Sequence, residues 1–131
     1  VGAGMGVPGP VLPDGSVEVC VNLGWKNANP QKELSGLLGG MLVRSGNDAN
    51  VAALGEMWQG GGKGYRDIVM VTLGTGVGGG VIIDEKIIAG RHGLAGEIGH
   101  IHVRDEETEY CNCGGRGCLE QVASATGTYF R

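Results

Sequence analysis

Two apolar runs on either side of a glycine cluster dominate the hydrophobic pattern of the chain. The runs cover residues 68–73 and 81–83, and near-continuous apolar runs of this length predict two buried β-strands. The segment between them is Gly74-Thr75-Gly76-Val77-Gly78-Gly79-Gly80. Because glycine adopts positive φ readily, this segment predicts a turn whose converging backbone N–H groups hold phosphate oxygens. A flexible hairpin between two core strands is the alternative interpretation.

The rest of the pattern predicts short strands interspersed with helices, which is typical of an α/β protein. Strands are predicted over residues 1–7, 41–44 and 87–88, with extended chain over 11–21 and a polar loop over 22–27. Helices are predicted over residues 31–38, 49–59 and 119–125.

Two of these segments carry predictions about side-chain direction. The spacing along the helix over 49–59 places Val51, Leu54 and Trp58 on one face, which predicts the face that packs on the protein. In the segment His100-Ile-His-Val103, polar and apolar residues alternate as along the edge of a strand, so both histidines are expected on one side.

The chain has the length of one domain, yet its composition and its first residues indicate part of a larger protein. Glycine accounts for 28 of 131 residues without collagen periodicity, which indicates many tight turns in a compact α/β protein. The sequence begins at Val1 within an apolar, glycine-rich run that is typical of the middle of a strand, so we expect an internal fragment.

The charge of the chain argues against two classes of partner. The formal net charge is −4 and no block of lysine or arginine is present. We therefore expect this segment to bind neither nucleic acid nor an anionic membrane surface. No apolar run approaches the length of a membrane span.

Three of the four cysteines, Cys111, Cys113 and Cys118, stand close together around a glycine-rich segment. Thiols at this spacing can converge on one tetrahedral ion such as zinc, and His100 or His102 is the nearby candidate for a fourth ligand. Such a closed site is structural, because no position remains open for water. Free thiols in a reduced protein are the alternative, and the cysteine pattern favours a reducing, cytoplasmic setting.

Several polar residues flank the glycine cluster, and each has a structural as well as a functional explanation. Asn47 and Asp48 stand at a predicted helix start, where both residue types are common N-caps. Glu97, His100 and Glu120, taken singly, are typical of solvated loops. A hydroxyl-rich ligand, in contrast, needs many polar side chains in one cleft, and these residues are the candidates for such a cluster.

Taken together, these motifs resemble the ROK family of bacterial sugar kinases and sugar-responsive repressors, and most closely its glucokinases. The resemblance runs through nearly the whole chain and follows the family's order of motifs. The motifs are Gly6-Val-Pro-Gly-Pro10, Asn22-Leu-Gly-Trp25, Gly46-Asn-Asp-Ala-Asn-Val-Ala-Ala-Leu-Gly-Glu56, Leu73-Gly-Thr-Gly-Val-Gly-Gly-Gly-Val81, Gly96-Glu-Ile-Gly-His100 and the cysteine segment ending in Cys118-Leu-Glu120. Gly46 departs from the family, which commonly has glutamate before the Asn-Asp pair.

The resemblance implies the two-domain, ribonuclease H-like α/β fold shared by actin, hexokinase and the Hsp70 ATPase, with sugar and ATP meeting between the domains. It implies that residues 1–52 are the C-terminal part of the smaller domain. Residues 53–131 are then the N-terminal part of the larger domain, including a small zinc-binding knuckle. The family's first phosphate loop would precede Val1 and its adenine pocket would follow Arg131, so we expect the 131 residues alone to lack kinase activity.

The resemblance also implies roles for individual residues. Asp48 matches the catalytic base, and the sugar-contacting residues match Asn47, Asp48, Glu97, His100 and Glu120. The second phosphate loop matches Gly74, Thr75, Gly76, Val77 and Gly78. The zinc ligands match His100, Cys111, Cys113 and Cys118, which leaves His102 outside the site.

The implied activity is ATP-dependent and Mg²⁺-dependent phosphorylation of a hexose, with the 6-hydroxyl of glucose as the expected acceptor. The Asn22-Leu-Gly-Trp25 segment favours glucokinases over amino-sugar kinases. One alternative is a ROK repressor that binds sugar as an inducer and has its DNA-binding domain upstream of Val1. Another is a zinc-stabilised binding module. Relatives are usually dimers, so we expect the full-length protein to be a homo-oligomer.

Overall fold

The computed structural model describes residues 1–20 and 23–129, which form a mixture of short β-strands and α-helices. The strands are β1 (Gly2–Val7), β2 (Val17–Cys20), β3 (Trp25–Ala28), β4 (Leu42–Asn47), β5 (Ile68–Leu73), β6 (Val77–Ile83) and β7 (Lys86–Ile87). The helices are α1 (Pro30–Leu37), α2 (Asp48–Gln59), α3 (Leu119–Ala123) and α4 (Ala125–Tyr129). Val21 and Asn22, where the predicted extended chain meets the predicted loop, lie outside the described residues, as do Phe130 and Arg131. Within the described ranges, no helix combines the length and the hydropathy that a membrane span requires.

Three small sheets organise the strands. β1 pairs in parallel with β4, from Gly2 opposite Leu42 to Val7 opposite Asn47. β2 and β3 form an antiparallel ribbon, and β5, β6 and β7 form an antiparallel sheet with β6 in the middle. The chain passes directly from β4 into α2, so the carboxyl end of the parallel pair coincides with the N-terminus of that helix.

Two regions of apolar packing support the sheets. The first is a buried cluster beside β1 and β2, formed by Val7, Val11, Val17 and Cys20. The second lies where α2 packs on β6, and it contains the fully buried Ala53 of the helix and the buried Ile82 of the strand. Since α2 also contacts β1 and β4, this helix connects the two parts of the fold.

The glycine cluster is arranged differently from the prediction. The turn comprises only Gly74, Thr75 and Gly76, whereas the glycines at 78–80 lie inside β6 and pair with β5. None of the glycines between 74 and 80 has positive φ, so the predicted turn of left-handed residues is wrong.

These strand glycines allow a helix and a loop to approach β6 closely. A Cβ atom at Gly80 would lie 2.6 Å from the Cβ of Ala53, so α2 rests almost directly on the strand backbone. A Cβ atom at Gly79 would lie 2.6 Å from the carbonyl oxygen of Gly96, in the loop on the other side. The glycines are therefore required by tertiary packing rather than by a turn.

Gly80→Ala is expected to destabilise the fold by about 1–3 kcal/mol, because the new methyl group overpacks the contact between β6 and α2. Urea denaturation followed by circular dichroism measures the change. Gly55→Ala is the matched control: Gly55 lies in α2 with open space around its Cα, so alanine should raise stability by about 0.5–1 kcal/mol. Equal effects of the two substitutions would contradict the packing argument.

The buried face of α2 also differs from the prediction. Asn50 and Ala53 are the buried residues of this helix, whereas Val51 is exposed and Trp58 is 73% exposed. Leu54 is partly buried. Because α2 lies so close to the glycines of β6, only small side chains fit between the helix and the strand. The helix therefore turns an alanine, and not its largest apolar residues, toward the sheet.

β5 was predicted to be a buried strand, but it is partly exposed. It is an edge strand, and its alternate residues Val69, Val71 and Leu73 are exposed. The intervening Ile68 and Met70 are partly buried. Among the described residues, β5 is thus covered on one face only, whereas β6 has α2 on one face and the Gly96 loop on the other.

Three local predictions are wrong. Residues 25–28 form β3 rather than a loop, and the sequence hides this strand because both central residues are polar and exposed. Residues 100–103 are not a strand edge, since His100 ends a 3₁₀ turn over Ile98–His100 and His102 makes a single bridge with Cys118. The predicted helix over 119–125 is divided at Ser124 into α3 and α4.

Candidate functional site

The junction between β4 and α2 positions the predicted base. Asn47 caps the helix, because its Oδ1 accepts a hydrogen bond from the N–H of Asn50 at 3.0 Å, and its Nδ2 donates to the carbonyl oxygen of Gly9 at 3.1 Å. The N-cap prediction is confirmed at Asn47. Asp48 is exposed in the first turn, where its Oδ1 accepts from the N–H of Ala49 at 2.9 Å. The site therefore has an accessible carboxylate at the positive end of the α2 dipole.

Glu97 is positioned by the loop that packs on β6. Gly96, with φ of +94°, makes the close backbone contact with Gly79 and so fixes the start of the turn that follows. Burial raises the pKa of the Glu97 carboxyl; the nearby His100 opposes this rise, and the negative charges of Asp48 and Glu120 add to it. Carboxylates far apart in the sequence thus lie close enough to interact.

Glu120 connects the histidine to the glycine turn. It lies in the first turn of α3, as predicted, and its Oε1 is 3.7 Å from Nδ1 of His100. On the other side of the imidazole, Nε2 of His100 is 4.0 Å from Oε2 of Glu97. A Cβ atom at Gly76 would lie 2.8 Å from Oε2 of Glu120. The structure therefore brings three of the predicted sugar-contacting residues together beside the turn.

The four predicted zinc ligands also lie together. The ligand atoms of His100, Cys111, Cys113 and Cys118 are all within 4.8 Å of one another, and these cysteines form no disulfide. The Sγ atoms of Cys113 and Cys118 are 3.6 Å apart, and the Sγ of Cys111 is 3.5 Å from Nδ1 of His100. A tetrahedral zinc ion with bonds of about 2.3 Å to sulfur and about 2.1 Å to nitrogen requires edges of about 3.6–3.8 Å. The donor set and its spacing are compatible with structural zinc.

The thiols of this cluster differ in acidity. Burial raises the pKa of Cys111 and of Cys118. The N–H of Gly115 donates to the Sγ of Cys113 and lowers the pKa of that thiol. A metal ion that binds here must displace the remaining thiol protons, so metal binding releases protons.

His102 lies outside the cluster. Its Nδ1 is 2.8 Å from the carbonyl oxygen of Arg116, and its Nε2 is 2.9 Å from Oδ1 of Asp105. The hydrogen bond with Asp105 raises the pKa of His102. Because both ring nitrogens have partners, His100 remains as the histidine available to the three cysteines.

The predicted phosphate loop is divided between two elements. Gly74–Gly76 form the turn, whereas Val77 and Gly78 already belong to β6. The N–H of Gly74 donates to the carbonyl oxygen of Gly76 at 3.0 Å, so this amide is engaged within the turn. The role of the five residues in binding phosphate stays a prediction.

A cavity of about 640 Å³, which the sequence analysis did not predict, opens between the glycine turn, the segment 104–112 and the α3–α4 region. Tyr110 and Gln121 are among its lining residues. Gln121 supports the wall, because its Oε1 accepts from the N–H of Cys118 and its Nε2 donates to the carbonyl oxygen of Glu109, both at 3.0 Å. The position of Gln121, three residues after the N-cap of α3, is a capping-box signal that sequence analysis can detect.

Comparison with known proteins identifies similar chains of two functional types. A glucokinase from Halalkalibacterium halodurans is 49% identical over 128 residues, which are 97% of this chain and 38% of that protein. A ROK family glucokinase from Streptomyces griseus, in complex with glucose and AMPPNP, has a TM-score of 0.85 and 39% identity, covering 96% of this chain and 40% of that one. A ROK family transcriptional regulator, a homologue of the E. coli MLC protein, has a TM-score of 0.87 and 31% identity, covering 98% of this chain and 32% of that one.

These matches agree with the order of motifs and with the geometry of the site. The chain spans about two fifths or less of the length of each of these relatives. Its α/β fold matches the ROK sugar-kinase structures, in agreement with the predicted actin- and hexokinase-like class. The sequence profile of the ROK family matches residues 1–129, and the chain therefore belongs to the ROK family.

Proposed function

We propose that this chain is part of an ATP-dependent hexose kinase that phosphorylates glucose at its 6-hydroxyl. The observation that supports this most directly is the convergence of Glu97, His100 and Glu120 beside the glycine turn, together with the charge of Asp48, which raises the pKa of Glu97. Three carboxylates and an imidazole supply the hydrogen-bonding groups that a neutral, hydroxyl-rich ligand needs. The similarity to glucokinases supports glucose as the hexose.

Asp48 is the proposed general base. A sugar hydroxyl is a weak nucleophile, so its attack on a γ-phosphoryl group is assisted when a carboxylate accepts the hydroxyl proton. The Asp48 carboxylate is exposed at the start of α2 and available for this role. Asn47 contributes by capping α2 and by tying it to Gly9, which keeps the base in position.

The remaining site residues hold the two substrates. Glu97, His100 and Glu120 bind sugar hydroxyls and orient the acceptor. In the glycine turn, Thr75 and Gly76, with the adjoining Val77 and Gly78, present backbone amides to the phosphates of the second substrate, Mg²⁺-ATP, and Gly74 shapes the turn through its own amide. Positioning of this kind supplies most of the rate enhancement in phosphoryl transfer.

We assign structural zinc to His100, Cys111, Cys113 and Cys118, on the basis of their donor chemistry and spacing. Zinc bound there supplies a cross-link between the 3₁₀ turn and the cysteine segment. Two proposed sugar contacts depend on this segment: His100 is itself a ligand, and Glu120 lies in the first turn of α3, two residues after the ligand Cys118. The metal therefore orders the sugar side of the site.

A coupled-enzyme assay of the complete protein with ATP and a panel of hexoses tests the proposal. Glucose is expected to give the highest kcat/KM among the hexoses. Absence of phosphorylation with every hexose would refute the kinase.

A sugar-responsive transcriptional regulator is the second candidate, and the similarity to a ROK regulator, with a TM-score of 0.87, supports it. A regulator needs the sugar contacts but no base. Sugar-dependent DNA binding that survives Asp48→Asn, in a protein without kinase activity, would establish this alternative.

Gly76→Ala is expected to weaken glucose binding without destabilising the fold. The new Cβ would lie 2.8 Å from Oε2 of Glu120, and this end of a flexible side chain can move away at little cost. Loss of one hydrogen bond to a charged group costs about 1.5–3 kcal/mol, which raises KM for glucose about 10- to 150-fold. Steady-state kinetics and a thermal melt of the same variant check both parts.

Gly74→Ala is the control for this substitution. Gly74 lies in the same turn, but a Cβ atom there would have open space around it. Its KM for glucose should stay near the wild-type value. An unchanged KM in the Gly76 variant would show that Glu120 does not contact the sugar.

A further inference from the structure

The cavity of about 640 Å³ adjoins the proposed site, because Thr75 and Gly76 of the glycine turn and Glu120 line it, but its other lining residues have no role in the proposed reaction. Of the residues predicted to contact the hexose, Glu120 lines this cavity, whereas Asn47, Asp48, Glu97 and His100 do not. The cavity therefore adjoins the hexose site and shares one wall with it. Its volume falls in the range of about 300–1,000 Å³ that is typical of small-molecule sites.

Tyr110 gives the cavity an open aromatic surface. The side chain is exposed, and the guanidinium of Arg116 lies over the ring at 4.0 Å from its centroid. Tyr110 lines the cavity, whereas Arg116 is not among its lining residues. The cation contacts one face of the ring, and an exposed aromatic ring in the wall of a cavity is a surface on which a ligand can stack.

Hydrogen-bond acceptors, mainly carboxylates, dominate the other lining side chains of the cavity. The lining side chains include one guanidinium, that of Arg104, and several carboxylates, those of Glu106, Glu107, Glu109 and Glu120. The amides of Asn112 and Gln121 and the hydroxyls of Thr75, Ser124 and Thr126 complete the polar side chains of the lining. This charge balance disfavours a polyphosphate, and the carboxylates can accept hydrogen bonds from a ligand with many O–H donors.

We propose that this cavity is a second carbohydrate subsite, which binds a further sugar ring linked to the hexose at Glu120. A pyranose ring offers an apolar C–H face to the Tyr110 ring and hydroxyl groups to the surrounding carboxylates, and this combination matches the walls of the cavity. The proposal rests on the proposed hexose site, because Glu120 is the wall that the two subsites share. The ligands of the complete protein then include glucose disaccharides.

Isothermal titration calorimetry of the complete protein, without ATP, tests the subsite with glucose, maltose and cellobiose as probes. At least one disaccharide is expected to bind about tenfold more tightly than glucose. Tyr110→Ala should remove this preference and leave the Kd for glucose unchanged, whereas Tyr110→Phe should keep it because the ring is retained. Tyr65→Ala is the matched control, since Tyr65 is exposed to the same extent, 69%, but does not line the cavity.

The outcomes separate this subsite from the function on which it rests. Glucose binding with no preference for either disaccharide, or a preference that survives Tyr110→Ala in a folded variant, would overturn the subsite alone. Failure to bind any sugar would overturn the hexose site and the subsite together. Weaker binding of AMPPNP to the Tyr110→Ala variant would assign the cavity to the nucleotide and refute the carbohydrate proposal.

Discussion

Asp48→Asn is expected to lower the kcat for glucose phosphorylation by about 10²- to 10⁴-fold and to leave the Kd for glucose nearly unchanged. Asparagine cannot accept the proton of the attacking hydroxyl. It can, however, keep the hydrogen bond that Oδ1 of Asp48 accepts from the N–H of Ala49 at 2.9 Å, so the start of α2 should stay intact. A coupled-enzyme assay gives kcat, and calorimetry gives the Kd for glucose.

Asp67→Asn provides the matched control for this prediction. Asp67 is also exposed, and its Oδ1 likewise accepts a backbone hydrogen bond, from Asp84 at 2.8 Å. It lies at the start of β5, away from the proposed sugar contacts, so its replacement should leave kcat unchanged. If the Asp48 variant kept more than about a tenth of the wild-type kcat, the general-base role would be wrong.

The parts of the site that depend on local chemistry could be predicted from the sequence. Asn47 follows a strand and precedes a helix, and its N-cap role needs only its own side chain and the N–H three residues later. The cysteines are close in sequence, so their convergence follows from a short glycine-rich segment. Glu97 and Glu120 are different, because only the packing of separate loops brings them together, and here the resemblance to the family supplied the prediction.

Close packing against glycine explains two wrong predictions, the turn at residues 78–80 and the buried face of α2. Hydrophobic patterns treat glycine as a break in an apolar run, so Gly78, Gly79 and Gly80 were predicted in a turn. In the structure they are strand residues, because Gly80 accommodates Ala53 and Gly79 accommodates Gly96. The same contact reverses the predicted face of α2, since a helix this close to a strand must present alanine. A pattern of single residues does not contain this pairwise information.

The choice between the two histidines also required the structure. Both His100 and His102 lie near the cysteines in sequence, and either fits the usual spacing of zinc ligands. The predicted alternation would place them on the same side. The 3₁₀ turn instead directs His100 toward Cys111, while His102 contacts Asp105 and Arg116.

The complete protein is expected to contain one zinc ion per chain, and Cys113→Ser is expected to lower the zinc affinity at least about 100-fold. Serine is a poor zinc ligand at neutral pH, because its hydroxyl stays protonated, whereas the Cys113 thiol already has a lowered pKa. Without the ion, the segment that carries His100 and Glu120 loses its cross-link, so KM for glucose should rise in parallel. Elemental analysis of the purified protein and a chelator competition measure the first effect, and steady-state kinetics measure the second.

Cys20→Ser separates loss of the metal from general damage by a serine substitution. Cys20 is buried in the apolar cluster beside β1 and β2, where its thiol donates to the carbonyl oxygen of Pro8 at 2.8 Å, and a serine hydroxyl can make the same bond. This variant should keep its zinc and its KM for glucose. Retention of zinc by the Cys113 variant would show that the ligand set is wrong. An unchanged KM in a Cys113 variant that has lost its zinc would show that the metal does not act through His100 and Glu120.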